Sequence, residues 1–432
     1  MEYIADLHVH SRYSRATSKA LGIFGLFKGS RAKGIDIMGT GDFTHPLYFQ
    51  ELKEQLVPLG TGLYRHQEDD PKDPRVKFIL TQELSGIYKR GGKVRRIHNL
   101  VLAPSLEIVE EIIKRLEPIG NLSADGRPIL GLDSEELLKI VLDVSPECML
   151  IPAHIWTPWF SLFGSKSGFD SIQECFGDMS KHIYAIETGL SSDPLMNWMI
   201  QDLDTLAILS NGDAHSAPNI AREANVFELA EASYMNVARA IKNSGTFNKK
   251  NLPKEYVKYT IEFYPEEGKY HFDGHRECNV SLHPQETKKY QGVCPVCKRS
   301  VTIGVLNRVH ELAGRSEAEA REFGRMYKSE YKSMVPLAEI IADAYGVSKT
   351  SKKVIQTYDA LLNSAETELA LLLKLPLDNI AAFAEKEIVQ GIKRMRNGDI
   401  TICPGFDGVY GKVSIFKESE RNGKAVRQQK LF

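Results

Sequence analysis

Seven short apolar runs divide the first 220 or so residues, and each carries a histidine or a carboxylate at or beside one of its ends. They are MEYIADLHV, GIDIMGTGDF, VKFILTQEL, HNLVLAP, CMLIPAH, YAIETGL and LAILSNGDAH, with amphipathic stretches such as SLEIVEEIIKRLEPIG between some of them. Runs that are apolar throughout read as strands buried on both faces, and the helical stretches supply the crossovers of a parallel sheet. The pattern predicts an α/β domain with a largely parallel sheet, one that can close on itself. Folds of this kind build their sites at the carboxyl ends of the strands. His8, His10, Asp42, Glu83, His98, His154, Glu187, Asp213 and His215 all fall at such ends.

With 432 residues the chain can form two or three domains with a sizeable interior, and 42% hydrophobic against 26% charged residues is a soluble, globular balance. A formal net charge of -1 means that a polyanionic partner would have to be met by a local patch. No window approaches the roughly 18 uninterrupted apolar residues of a membrane span. The opening MEYIADLHVH lacks the order of a signal peptide, so the expectation is a cytoplasmic protein with no membrane partner. Of the six cysteines, Cys294 and Cys297 form a CPVC pair, which favours metal binding over disulfides. Cys148, Cys175 and Cys403 stand alone and read as buried, inert thiols.

In DLHVHS, His8 and His10 are two apart, so a strand points both to one face. Any one strand-end histidine is as readily a satisfied core or surface residue. Five of the 12 histidines, however, share these contexts with Glu83, Asp42 and Asp213. Mixed imidazole and carboxylate donors suit Zn, Mn or Fe, and a carboxylate among them can bridge two ions. Two or three adjacent divalent ions can bind a phosphodiester and acidify a water, so phosphate-ester hydrolysis is the natural chemistry. Glu187 and Asp193, in AIETGLSSDP, are candidate general bases, with a turn or helix cap the alternative for Asp193.

Beyond the strand-rich part, which is taken as residues 1-255, the segment 256-305 carries GHREC and VCPVC. His275, Cys278, Cys294 and Cys297 make two pairs of ligands with two intervening residues, the pattern of one structural zinc in a module too small to bury much apolar surface. His271 and His283 compete with His275 for the fourth position. Residues 306-432 turn helical, in MVPLAEIIADAY, ETELALLL and NIAAFAEKEIVQGIKRMR, before a Gly-rich hairpin and a basic tail. Basic runs holding Lys352, Lys353, Arg394 and Arg396 lie near Tyr327, Tyr331, Phe406 and Tyr410, which makes this region the expected nucleic-acid-binding surface, with solvated helix faces the alternative for any one run.

DLHVHS, TGDF, TQE, RIH, PAH and SNGDAHS, in this order over roughly residues 1 to 225, resemble the PHP (polymerase and histidinol phosphatase) family. That resemblance implies a distorted (β/α)7 barrel with a trinuclear metal site. His8, His10, Glu83 and Asp213 would hold one ion, Glu83 would bridge to a second held by His98 and His154, and Asp42 and His215 would serve a third. The chain departs from the pattern at Arg15, which stands near an acidic or imidazole position and can instead fork onto a scissile phosphate, and at Asp42, where His is commoner. His45 is a substitute ligand or a substrate contact.

The wider order, from the PHP part through KYHFDGHREC and CPVCKRSVTIGVLNRV to NSAETELALLL and PGFDGVYGKV, resembles the archaeal endonuclease Q family over nearly the whole chain. This implies DNA repair: a metal-dependent endonuclease that nicks 5′ of deaminated bases (hypoxanthine, uracil, xanthine) and of abasic sites. Its cofactors would be two or three divalent ions (Zn, Mn or Mg) in the active site and one structural Zn. A damaged nucleotide is cheaper to unpair, so a pocket between the barrel mouth and the later modules is expected, with Trp156 and Trp159 positioned to wedge or stack. The terminal RQQKLF, residues 427 to 432, is a weak candidate for a sliding clamp, with a frayed basic tail the alternative. A PHP phosphoesterase for a small metabolite and a catalytically inactive DNA-binding protein are the competing readings.

Overall fold

The structure, a computed structural model, describes residues 1–245, 247, 249–417 and 420. Its centre is a mixed sheet. Glu2–Asp6 runs parallel to Ile37–Gly39, which runs parallel to Lys77–Arg90. On the far side of Glu2–Asp6 the strands Ala224–Glu228 and Tyr256–Glu262 follow antiparallel, and Glu330–Ser333 then closes that edge in parallel. Tyr256–Glu262 and Glu330–Ser333, from either side of the cysteine-bearing segment, thus extend the same sheet as the N-terminal strand.

The largely parallel arrangement expected from the apolar runs gives way at Lys77–Arg90 and Lys93–Ala103, which pair antiparallel along their whole length from Leu80–Ala103 to Arg90–Lys93. The cause is local. Gly91 and Gly92 have φ of 59° and 73°, the left-handed pair that a two-residue hairpin turn needs. Two runs that read as separate strands are therefore one long ribbon, and Met149–Pro152 adds to it antiparallel. Ala185–Glu187 and Ala207–Leu209 form their own parallel pair. Single hydrogen bonds link this pair to its neighbours, Ile155 N–H to the Glu187 carbonyl and His10 N–H to the Ala214 carbonyl, each 3.1 Å. Among the described residues no continuous ladder closes the ring.

The helices that cover the sheet bury the faces their sequences mark. Leu106–Leu116 turns Val109, Ile112, Ile113 and Leu116 inward, and Ser134–Val144 does so with Leu137, Leu138 and Val141. Ser105 and Asp133 cap their first turns. Cys148 and Cys175 are buried as expected, whereas Cys403 is exposed because its strand, Thr401–Cys403, lies in a surface hairpin with Lys412–Ser414. None of the described helices is long and apolar enough to cross a membrane. The RQQKLF segment lies outside the described residues.

A buried ion pair ties the helical region to the sheet. Lys33, in the helix Ile23–Lys33, donates to Glu368 at 2.6 Å, and Glu368 also accepts the Leu337 N–H at 3.1 Å and the Tyr358 hydroxyl. Both ionic partners are buried. Removing one partner strands the other charge in a medium that cannot solvate it. Glu368→Ala should therefore cost about 3 kcal/mol in urea unfolding, and Lys33→Met with Glu368→Leu should recover much of it; an unchanged midpoint for Glu368→Ala would show that the pair does not hold the region in place.

Candidate functional site

Five strands and the loops that follow them deliver a cluster of imidazoles and carboxylates. Glu83, on the long ribbon, stands at its centre. Its Oε2 lies 3.0 Å from His10 Nε2 and 3.4 Å from His8 Nε2, and its Oε1 lies 2.6 Å from His98 Nδ1 and 3.0 Å from His154 Nε2. Asp213 Oδ1 lies 3.0 Å from His10 Nε2 and 3.7 Å from His8 Nε2. His8, His10, Glu83 and Asp213 thus form one group whose ligand atoms converge, and Glu83, His98 and His154 form a second.

The donor set fits cations. His8 Nε2, His10 Nε2 and Asp213 Oδ1 are buried and make no hydrogen bond, although they crowd one another. The far nitrogens explain why. His8 Nδ1 lies 3.0 Å from both Glu187 oxygens, and His10 Nδ1 lies 3.0 Å from Asp42 Oδ1. An ionised carboxylate only accepts, so it fixes the proton on Nδ1 and leaves the Nε2 lone pair facing the cluster. Lone pairs converging without protons between them are what a bound ion requires.

The charges of the cluster offset one another. Burial alone would raise Asp213 and Glu83, yet His8 and His10 around the first, and His98, Arg127 and His8 around the second, hold both below the usual carboxylate range. Burial would lower His8 too, but Glu187, Glu83 and Asp213 outweigh it and raise its pKa. His98 has less support, and burial brings it down to about 4. The backbone is strained at the same place: Asp42, His154 and Asp213 hold φ of 47°, 30° and 43°. Non-glycine residues in this region cost about 1–3 kcal/mol each and concentrate at functional sites.

Several residues singled out from the sequence have other tasks. Asp42 is not in either ligand group: its Oδ1 faces His10 Nδ1, and its Oδ2 accepts the Ser11 N–H and the Ser11 and Ser14 hydroxyls. Glu187 is no free base, because it also accepts the His154 N–H at 2.8 Å and the Asn211 amide at 2.9 Å. Asp193 caps Pro194–Trp198, accepting the Met196 N–H at 2.8 Å, and faces a different cavity with His271, His283 and His310. His215 turns Nδ1 to the Asp213 carbonyl at 2.8 Å. Arg15 is exposed beside the mouth, with its backbone against Asp125, and His45 stacks on Tyr13 at 4.4 Å. Asp6 anchors the loop that carries Asp213 by accepting the Gly212 and Ala221 N–H groups at 3.0 and 3.1 Å.

Of the residues expected to meet DNA, Trp156 is in the core, with its indole N–H on Asn197 at 2.8 Å. Arg394 is held by Glu420, and Arg396 by the Leu371 and Leu372 carbonyls. Lys352 and Lys353 are exposed. Trp159 is 42% exposed and meets Tyr270 edge-on, ring centres 6.3 Å apart, in the lining of a cavity of about 760 Å³ that also includes Thr157, Arg222, Lys349 and Tyr410. Thr157 reaches back to His154, so this cavity adjoins the ligand cluster.

The cysteine segment forms its own site. His275, Cys278, Cys294 and Cys297 converge at the end of the small hairpin Asp273–His275 and Val280–Leu282. His283 instead caps Pro284–Lys289, and His271 is buried beside Phe272. The four donors are those of a closed tetrahedral zinc site. The apolar core there is small, built around Leu282, Cys294 and Val301, which leaves a cross-link through the ligands to hold the module.

The family model described as the MJ0043 C-terminal domain matches residues 336–399. The chain is 32% identical over 267 residues to the uncharacterised protein MJ0043 of Methanocaldococcus jannaschii, 60% of this chain but 31% of that protein, so it spans under a third of that relative's length. It is 30% identical over 422 residues to the uncharacterised protein YqxK of Bacillus subtilis, 95% of this chain and 98% of that one. Its structure superposes on the lesion-specific endonuclease PfuEndoQ of Pyrococcus furiosus with a TM-score of 0.82 and 30% identity, covering 97% of this chain and 96% of that one. The chain belongs to the endonuclease Q family. A second member, endonuclease Q in complex with a 27-mer duplex that has an abasic lesion at the active site, matches with a TM-score of 0.80 and 29% identity over 99% of this chain.

Within this endonuclease Q fold the sequence left one residue of the cluster unmarked. Arg127 reaches Glu83 Oε2 with Nη1 at 3.1 Å. It lies in the loop NLSADGRP before the two-residue strand Ile129–Leu130, outside every apolar run, and is one of 55 Lys and Arg residues. Gly126 before it and Pro128 after it are the only local signs of a constrained backbone.

Two outcomes follow from these placements. Asp42→Ala frees the His10 tautomer and should weaken divalent-ion affinity by about 10–100-fold in chelator competition; unchanged affinity would count against the supporting role. Asp193 has a pKa raised to about 6, first by burial and then by Glu266 and Glu317. A carboxyl raised above its unfolded value binds extra protons when folded, so stability is lost as pH rises from about 4 to 6. Asp193→Asn keeps the cap and removes that loss. It should gain about 1 kcal/mol at pH 8 and nothing at pH 4, the shift being discounted for partial exposure, with ion content unchanged.

Proposed function

We propose that this protein is a metal-dependent DNA endonuclease of repair, which nicks the strand 5′ of deaminated bases and of abasic sites. The observation that carries the reading is Glu83: one buried carboxylate offers its two oxygens to two separate ligand sets, beside an open aromatic cavity. Full-length likeness to lesion-specific endonuclease Q supports the substrate class.

In this reading His8, His10, Glu83 and Asp213 hold one divalent ion and Glu83, His98 and His154 a second, each Zn, Mn or Mg, with a structural Zn on His275, Cys278, Cys294 and Cys297. Ions so held supply Lewis acidity to a phosphodiester and to a water. Glu187 and Asp42 keep the two imidazoles in the ligating tautomer. Trp159, Tyr270 and Tyr410 offer faces on which an extruded nucleotide stacks, and Arg222 and Lys349 bring positive charge to the same cavity. A cavity of about 760 Å³ is ample for one nucleotide. Residues 1-255 act as a distorted seven-stranded catalytic barrel whose sheet also takes in Tyr256–Glu262. Residues 256-305 form the zinc-held wall of the cavity, and residues 306-432 add the DNA-binding surface around Lys352 and Lys353.

The test is direct. Incubated with Mn or Mg, the protein should nick duplexes bearing a single hypoxanthine, uracil, xanthine or abasic site immediately 5′ of the lesion, leaving 3′-hydroxyl and 5′-phosphate ends. Undamaged duplex should stay intact. Hydrolysis of p-nitrophenyl phosphate with every duplex untouched would overturn the reading in favour of a small-ester phosphatase, and retention of lesion duplex without cleavage in favour of a binding protein.

A further inference from the structure

The ribbon of Lys77–Arg90 and Lys93–Ala103 is longer than the ligand cluster needs. Its residues 77–79 pair with Ile37–Gly39 in the central sheet, and the ribbon then runs on past Glu83 to the turn at Gly91 and Gly92. Its two faces meet different surroundings. On one, the Tyr88 hydroxyl bonds that of Ser134 at 3.2 Å, and Arg90 pairs with Asp133 and Glu135 at 3.1 Å each. Arg95, on the same face, donates to the Gly168 carbonyl and lies over the Phe169 ring. The start of the helix Ser134–Val144 closes that side.

The opposite face carries Glu83 and Ser85 against Leu100 and His98, and continues outward with Ile87 against Arg96 and Lys89 against Val94. Its rows follow one another every second residue, about 7 Å apart. Arg96 and His98 meet the same ring, that of Phe160, at 5.9 and 4.8 Å, so the guanidinium stands on the side of the ribbon that faces the cluster. Phe160 is held there at a strained φ of 60°, and its carbonyl accepts the His98 N–H at 3.2 Å. The charged ends of Arg96 and Lys89 meet no carboxylate among the described residues. Apolar side chains flank them in the open: Val94 is 47% exposed, and Ile129, paired beside Ser85, is 59% exposed.

We propose that this outer face is a track for the DNA strand that carries the scissile phosphate, with Arg96 holding the phosphate next to the scissile one and Lys89 the phosphate beyond it. Two unpaired cations on a chain of net charge -1 are a local patch that complements a polyanion, and the patch is continuous with the ligand cluster. The row spacing is close to the separation of successive phosphates on one strand. Guanidinium matches two phosphate oxygens with a planar fork, whereas the longer reach of Lys89 needs only a point charge. Val94 and Ile129 offer contact to the sugars between. Contacts of this kind fix the strand's register and are blind to the lesion, so they serve every substrate alike. The inference rests on the DNA-endonuclease reading.

The test measures how sodium chloride weakens binding of the metal-loaded full-length protein to a lesion duplex with a non-hydrolysable linkage at the nicking position. Arg96→Ala and Lys89→Ala should each lower the slope of log Kd against log salt by about 1, and together by about 2. Arg96→Lys should keep the wild-type slope, as should Lys139→Ala, which removes a charge from the helix on the closed face. Single uncharged methylphosphonates in the nicked strand then locate the contacts. The substitution that weakens the wild type but not Arg96→Ala should fall next to the nicking position, and the one silent in Lys89→Ala one nucleotide further on. Unchanged slopes in the alanine variants, an equal loss in Lys139→Ala, or silent positions that are not neighbours overturn the proposal. Loss of bound ions in Arg96→Ala also overturns it, since Arg96 would then support His98. A wild-type protein that neither binds nor nicks lesion duplex overturns the functional reading itself, an outcome told apart because it appears before any substitution is made.

Discussion

Everything at the centre of this protein depends on one carboxylate being shared. Glu83 is buried, and an isolated charge in such a place would be prohibitively costly. It is tolerated because four imidazoles and a guanidinium surround it. Each of these groups is in turn held by something else: His8 by Glu187, His10 by Asp42, and the loop of Asp213 by Asp6. Carboxylates on the outer ring determine which nitrogen of each imidazole carries a proton, and so which one faces inward. The strained backbone at Asp42, His154 and Asp213 marks where chain geometry yields to this arrangement.

The sheet architecture was legible where apolar runs end in ionisable residues, because a strand buried on both faces has no other use for a histidine at its tip. His8, His10, Glu83, His98, His154 and Asp213 share that signal and meet in space. The same signal marks Asp42 and Glu187, whose oxygens the structure places on His10 and His8. A carboxylate that ligates and one that orients a ligand sit at equivalent strand ends, and only three-dimensional hydrogen bonding separates them. Asp193 followed by Pro was legible as a cap in the S-D-P context. Arg394 and Arg396 end a helix, and in a sequence such an arginine looks the same whether it faces solvent or the carbonyls of a neighbouring turn. Arg127 had no periodic pattern to mark it.

The later segments share one apolar core with the N-terminal sheet, and buried polar groups pin them within it. Glu368 receives Lys33, and Lys328 places its ammonium among the carbonyls of Leu203, Asp204, Leu206 and Gly245. Burial lowers the Lys328 pKa to about 7, against Asp204. In the cysteine-bearing part, Asp273 gathers the Gly304 N–H, the Asn307 amide and the Thr287 hydroxyl. Such contacts are directional, so they set an orientation where apolar packing would tolerate sliding. The cavity beside the ligand cluster has walls from all three parts.

The long hairpin gives the protein a remote dependence. Glu83 pairs with Leu100 and Ser85 with His98, so the bridging carboxylate and a ligand of the second group lie on one face as diagonal neighbours. Their meeting is specified at Gly91 and Gly92, on the surface and well away from either side chain. A single residue added to one arm of the ribbon would carry every later side chain to the opposite face, and His98 would point away from Glu83. Insertions at this loop, ordinarily the most permissive place in a fold, are therefore constrained here by parity: the ribbon counts residues on behalf of the metal centre.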